Sequence, residues 1–352
     1  MMNYKRSKKE ENLVDLSCQG IDNFPTCLQS QFRVDLCTYL DLSGNQMKCF
    51  SGGDLSSFHS LETLDISSNQ LECLPCGLCK LNKLKRLFLR NNALFELPQC
   101  ITSVRCLEIL NISGNKFENF PLEVLDLCRL KELHLGGNSI TQIPKDLAML
   151  SSLEYLYLGG NKLKELPVEI GKLTNLKFLN LSDNDIDILP NELAKLHKLE
   201  SLSLHNNNLT VLPSGIIKLK NLQEISVRGN PLVIRFMRSQ CSRFPSLQEL
   251  AGKKIKNAHI PYSNKNLPAF LVKYLDSANK CVNPKCYGVF FDSCVRHVKF
   301  VDFCGKYRLP FEQFLCSLHE NEYWDDVSSS SNSSSEDDSE VGPSWMKKIL
   351  FG

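Results

Sequence analysis

Two residue pairs toward the end of this 352-residue chain have the spacing of metal ligands. Cys281 and Cys286 are separated by four residues in CVNPKC, the knuckle-like spacing of zinc sites. Some thirty residues on, CSLH supplies Cys316 and His319. Thiolate and imidazole are ligand types that suit zinc. Between the pairs, GVFFDS and VRHVKFVDF alternate like two strands, so the pairs would bracket a hairpin, as in a zinc ribbon. The expected ligands are Cys281, Cys286, Cys316 and His319, with His297, Cys294 and Cys304 as alternatives for the fourth place. Zinc there would be structural, a closed site stabilising a segment too small to fold well alone. The competing expectation is unligated thiols in a small hydrophobic domain.

Other chemistry is sparse. RHVKF (Arg296 to Phe300) fits a loose phosphatase-1 docking pattern, a basic residue and then V-x-F, which gives the alternative reading of a phosphatase-targeting or signalling scaffold. It needs Val298 and Phe300 exposed, whereas a strand would bury them. No glycine-rich phosphate loop or hydrolase elbow occurs. His134 and His205 have no acid or nucleophile in close register and read as contact residues, so no enzyme is expected. Basic and acidic residues number 41 and 39, leaving no global field for nucleic acid or membrane. No run of about 18 apolar residues suggests a membrane span. MMNYKRSKKEENL lacks the apolar core of a secretory signal. The sixteen cysteines are therefore expected to be reduced thiols in a cytoplasmic or nuclear chain, some of them on metal.

The elements that must position these residues come from a repeat. LxLxxN recurs with Asn at 45, 69, 92, 115, 138, 161, 184, 207 and 230, and a degenerate first copy places Gln19 where Asn would stand. Each copy continues as NxLxxLPxxφxxL. The pattern resembles the leucine-rich repeat family and implies an α/β solenoid of ten repeats, about 23 residues each. LxL should be a short parallel strand, and each Asn should satisfy backbone groups where the chain turns out of it. Proline in the LP half rules out a second continuous strand there. Cys37, Cys49, Cys73, Cys100, Cys106 and Cys128 read as small buried or half-buried thiols. Such arrays bind partners on the concave strand face. The residues expected to hold a protein substrate there are Arg86, Phe88, Arg90, His134, Tyr155, Tyr157, Phe178, His205 and Arg228. Aromatic and Arg side chains of this kind dominate binding hot spots.

Past the last repeat, IRFMRSQCSRF is expected to form a helical cap. In SLQELAGKKI, Ser246 and Glu249 make an S-x-x-E capping box, and Leu247, Leu250, Ala251 and Ile255 share one helical face. The small Ala251 would let another backbone approach. In NLPAFLVKYL, Pro268 suits a first helical turn, and Leu267, Phe270, Leu271, Tyr274 and Leu275 form a stripe. Two such helices can simply cap a solenoid.

SLQELAGKKI resembles the elongin-binding helix of the SOCS-box and VHL-box families, with Ser246, Leu247 and Ile255 matching and Ala251 in place of the usual Cys. NLPAFLVKYL is similar to the cullin-contacting end of a SOCS box through Leu267, Pro268, Leu271, Tyr274 and Leu275, with Phe270 where a second proline stands. These resemblances imply elongin B/C and cullin-5 or cullin-2 as partners, and a substrate receptor of a cullin-RING ubiquitin ligase. From SLSLHNNNLTVLP to KYRLP the chain also closely resembles one leucine-rich repeat protein in particular, up to about Ser317. The expected organisation is a polar tail (1–12), the solenoid (13–236), the helical box-like segment (237–278), a Cys-rich segment (279–322), an acidic serine-rich disordered stretch (323–343) and a short tail (344–352).

Overall fold

The structure, a computed structural model, describes residues 12–25, 33–49, 55–232, 240–241, 245–282, 286–303 and 307–317. The acidic serine-rich stretch, both tails, Cys304 and His319 lie outside them. The chain divides into two compact units. One runs to Thr210 and takes in Gly215–Pro231; the other combines Val211–Ser214 with the segment from Leu232 onward.

The first unit is built from strands only three residues long: β1 (Leu13–Asp15), β2 (Tyr39–Asp41), β3 (Thr63–Asp65), β4 (Arg86–Phe88), β5 (Ile109–Asn111), β6 (Glu132–His134), β7 (Tyr155–Tyr157), β8 (Phe178–Asn180) and β9 (Ser201–Ser203). After β10 (Leu212–Pro213), which belongs to the other unit, comes β11 (Glu224–Ser226). The ten strands β1 to β9 and β11 pair in parallel in sequence order, one per repeat. Alternation explains the burial: in β7, Leu156 is wholly buried while Tyr155 and Tyr157 face outward.

The ladder asparagines do what their position demands. Asn161 Nδ2 donates to Leu158 O at 2.9 Å in its own repeat and to Leu135 O at 3.0 Å in the preceding one. Its Oδ1 accepts from Ile140 N at 3.0 Å. One side chain thus closes three backbone groups that stacking hides from water. The residue before each ladder position adopts a left-handed backbone, as Gly160 does at φ +68°. That bend turns the chain off the strand and aims the next side chain inward, and glycine adopts it without a Cβ clash.

The LP halves return as five-residue 3-10 helices directly after proline, for example Val168–Lys172 after Pro167. The ninth repeat departs from the expectation that proline excludes a strand there. Leu212 and Pro213 form β10, paired with Phe311 and Glu312. Proline is tolerated because β10 is an edge strand of its sheet.

In the second unit, β12 (Gln240–Cys241) precedes helix α1 (Leu247–Asn257) and helix α2 (Ala269–Asp276). There follow β13 (Asn279–Lys280), β14 (Val289–Phe290), β15 (Val295–Phe303) and β16 (Tyr307–Leu315). The sheet order is β10-β16-β15-β12, and β13 with β14 forms a separate two-stranded ribbon. Two expectations change here. The described part of IRFMRSQCSRF, Gln240 and Cys241, is strand and not helix, because it pairs with Arg296 and Val295. VRHVKFVDF makes its hairpin with Tyr307–Leu315, while GVFFDS pairs back to Asn279–Lys280. Residues on both sides of position 278 belong to this one unit.

Candidate partner-binding faces

On the strand face, in-register pairing of adjacent repeats sets the site. Tyr155 lies beside Phe178 and Tyr157 beside His134. The rings stack: Tyr155 on Phe178 with centroids 4.8 Å apart, His134 on Tyr157 at 4.2 Å. Two stacks across three strands make one aromatic surface, whose outer faces are open to a partner. Partial burial, followed by Glu132 and Tyr155, pushes the Tyr157 hydroxyl pKa up. Arg86, Arg90 and Arg228 are exposed and Phe88 is half-buried. Arg86 Nε donates to Thr63 Oγ1 at 2.9 Å, which fixes its stem.

Both histidines have the acids that the sequence reading withheld from them. His134 Nε2 lies 3.5 Å from Glu132 Oε2, two residues back on the same face of its own strand. Burial lowers the His134 pKa against the raising effect of Glu132. His205 Nε2 is 3.6 Å from Asp183 Oδ2, and its Nδ1 is 3.5 Å from Ser226 Oγ, because neighbouring repeats bring residues 21 to 22 apart together. These spacings lie at the long end of hydrogen-bonding contact. Ser201, Ser203, His205, Glu224, Ser226 and Arg228 line a shallow concavity of ≈ 290 Å³ there.

The cysteines of the array also depart from a uniformly reduced, buried set. Cys37 is buried, and burial pushes its thiol up to about 11. Cys49, Cys73 and Cys128 are exposed and Cys106 is half-buried. Cys100 forms a disulfide with Cys79, since successive return segments hold their Cα atoms 5.6 Å apart.

In the second unit, Ser246 caps α1, its Oγ accepting from Glu249 N at 3.2 Å. The reciprocal half of the capping box is replaced. The Glu249 carboxylate is buried and accepts from Phe291 N at 3.2 Å and from Ser293 N at 3.0 Å, with Lys253 Nζ 3.3 Å away. Burial pushes its pKa up, but the Ser293, Phe291 and Lys253 contacts outweigh that and hold it below the ordinary glutamate range. Gly252 shares this inner face: a Cβ there would lie 2.9 Å from the Phe291 ring. The close approach expected at Ala251 therefore occurs at Gly252.

This anchoring turns the apolar stripe outward. Leu247 is 86% exposed and Leu250 49%; Ala251 is exposed and Ile255 half-buried. On α2 the expected set divides. Pro268 is exposed and Leu267 and Leu271 are half-buried, with Phe270 68% exposed beside them. Tyr274 instead stacks on Phe291 at 4.5 Å and Leu275 is buried, so both serve the unit's own core. Val298 is also buried, which removes one anchor of the phosphatase-type motif; the side chain of Phe300 lies outside the described residues.

The sulfur atoms of Cys281, Cys286 and Cys316 come together, all within 4.8 Å of one another. Cys286 Sγ and Cys316 Sγ are 3.5 Å apart. Burial and the Cys286 sulfur push the Cys316 thiol up to about 11. Among the described residues, neither Cys294 nor His297 joins the group.

Comparison with known proteins agrees with the ladder and its strands. A family model described as a leucine-rich repeat region matches residues 40–159, 143–238 and 168–267, well over half the chain. The chain is a leucine-rich repeat protein. Curated relatives include leucine-rich repeat-containing protein 58 of Xenopus tropicalis, 59% identical over 91 residues, and that of Xenopus laevis, 52% identical over 122 residues. These matches span 26% and 35%, respectively, of this chain and of each relative. Among solved structures, an LRR protein of Leptospira interrogans has a TM-score of 0.52 at 36% identity, over 60% of this chain and 59% of that one. The LRR ectodomain of the plant receptor kinase GASSHO1/SCHENGEN3 from Arabidopsis thaliana, solved with CASPARIAN STRIP INTEGRITY FACTOR 2, has a TM-score of 0.54 at 32% identity, over 62% and 27%.

In this leucine-rich repeat protein, Glu249, Gly252 and Phe291 are the positions that sequence reading missed. Glu249 fitted a local motif well enough to hide its long-range role. Only the backbone donors of Phe291 and Ser293, more than forty residues away, reveal it. The fold is that of a protein-binding scaffold.

Proposed function

We propose that this protein is a non-enzymatic substrate-recognition subunit of a cullin-RING ubiquitin ligase. Its strand face would hold a protein substrate, and residues 246–275 would dock elongin B/C together with cullin-5 or cullin-2. It supplies no transfer chemistry and acts in the cytoplasm by proximity, raising the concentration of substrate beside a recruited transfer enzyme. The observation that carries this reading is the orientation of α1. Glu249 and Gly252 fix one face inward, while Leu247 and Leu250, which match or adjoin the elongin-binding pattern, remain open. Large apolar side chains this exposed on a rigidly seated helix form a docking face, since leaving them in water forgoes about 2 kcal/mol each.

On α2, exposed Phe270 and Pro268 beside half-buried Leu267 and Leu271 support a cullin contact from those four residues, with Tyr274 and Leu275 holding the helix in place. The test is recovery of elongin C with the full-length chain. Leu247→Ala with Leu250→Ala should lower recovery at least about 30-fold, the size of a hot-spot loss. Its thermal unfolding should match wild type. Undiminished recovery from the double variant removes the proposal.

A further inference from the structure

Three sulfur atoms converge in the second unit, and their geometry suits a metal. We infer that Cys281, Cys286 and Cys316 are three ligands of a structural zinc ion. Zinc–sulfur bonds of about 2.3 Å in a tetrahedron set sulfur atoms about 3.8 Å apart. Here one pair stands at 3.5 Å and all three lie within 4.8 Å. A disulfide would use two sulfurs and leave the convergence of a third without a role.

The surroundings are shaped for a bound ion as well. Gly288 N donates to Cys286 Sγ at 3.2 Å, the kind of backbone support that orients a thiolate ligand. A Cβ on Gly288 would fall 2.7 Å from Cys316 Sγ and 3.1 Å from Cys286 Sγ, so only glycine lets the loop close over the sulfurs. Cys281 N in turn donates to Gly288 O at 2.9 Å, closing the knuckle. Cys281 is buried, with Val295 and Leu315 packed against the group, which shields the site from water. Thiolates select zinc over the hard cations calcium and magnesium.

Binding would release a proton from each of the three thiols to solvent. The ion would tie the end of β16 to the β13–β14 ribbon. That ribbon leads into Phe291 and Ser293, which hold Glu249 of α1.

Metal content of the full-length chain, expressed with zinc in the medium and washed free of loose metal, is the first measurement. About one zinc per chain is expected, as for a single structural site. Cys286→Ser and Cys316→Ser should each lose it, and Cys128→Ser, on the repeat array, should keep it. Should the serine variants fail to fold, cobalt(II) in the wild-type chain gives an independent reading. Sulfur-to-cobalt charge-transfer bands of three-thiolate intensity with tetrahedral d–d bands are expected. A metal-free chain without those bands, a Cys286–Cys316 disulfide located by peptide mapping, or full zinc in both serine variants overturns the site.

Discussion

Asn161 shows how much one polar residue carries in a stacked array. Its amide closes two carbonyls and one N–H across two repeats, none of which water can reach. Asn161→Ala leaves all three unmet at a cost of about 3 kcal/mol, because an unpaired buried group forfeits its solvation. Contacts in a solenoid are with nearest neighbours, so the damage should stay local. Hydrogen exchange should quicken roughly hundredfold at Ile140 and its neighbouring turns, with distant repeats unchanged. Uniform protection in the variant would show that the ladder is decorative. Glu249 is the second such residue, a buried carboxylate surrounded by donors. Its folded pKa lies below the ordinary value, so the stability it adds is complete above about pH 4.3 and fades as pH falls through the folded value. Glu249→Gln should cost about 3 kcal/mol near neutrality. Denaturation midpoints taken across pH should show the gap to wild type narrowing in acid; a gap constant with pH would mean that the charge does not matter.

At the scale of elements, what the sequence reveals depends on how far away the deciding partner lies. The ten strands, their inward leucines and the ladder were legible because each is set by residues within a 23-residue period. Ser246 was legible as a cap for the same reason: its acceptor role is settled three residues on. The second unit was less so. β12 and β14 are two residues long and exist only because of their pairing partners, which no local pattern announces. The stripe on α1 was legible as apolar and one-sided, but an outward direction was implied only by the resemblance to an elongin-binding helix. That direction follows from Glu249 meeting Phe291 and Ser293, and from Gly252 admitting the Phe291 ring. On α2, Tyr274 and Leu275 carry the same apolar character as Phe270, and packing alone sorts them into core and surface. Cys281, Cys286 and Cys316 were legible as a set by spacing, while the hairpin between them was assigned the wrong strands. Paired-cysteine spacing constrains chain ends more tightly than the path between them.

For the molecule as a whole, the balance of charge indicates how partners are held. Forty-one basic residues nearly cancel thirty-nine acidic ones, and the cancellation is also local. Lys85, Lys131 and Lys177 each reach the glutamate 23 residues earlier, at 3.0, 2.8 and 2.7 Å, forming a neutral flank along the array. These pairs are half-exposed and add little stability. On the strand face, Asp15, Asp41 and Asp65 align on β1 to β3, and Arg86 follows on β4, so charge of both signs is present there. Its distinctive feature is the aromatic surface of Tyr155, Tyr157, Phe178 and His134. Stacked rings bind through area and shape, a contribution that salt does not screen, whereas charge-steered binding weakens as the Debye length shrinks from about 10 Å to 3 Å. Proteins captured by the strand face should therefore remain bound in about 1 M salt and be lost from Tyr155→Ala with Tyr157→Ala. That variant gives up two stacks worth about 1 kcal/mol each, too little to unfold ten repeats, and should recover elongin C as wild type does. The Leu247→Ala, Leu250→Ala variant should show the mirror image, keeping the same captured proteins and losing elongin C. Quantitative partner profiles of the two variants at low and high salt separate the faces. A profile in which both variants lose the same partners would mean that the strand face and α1 serve one binding event.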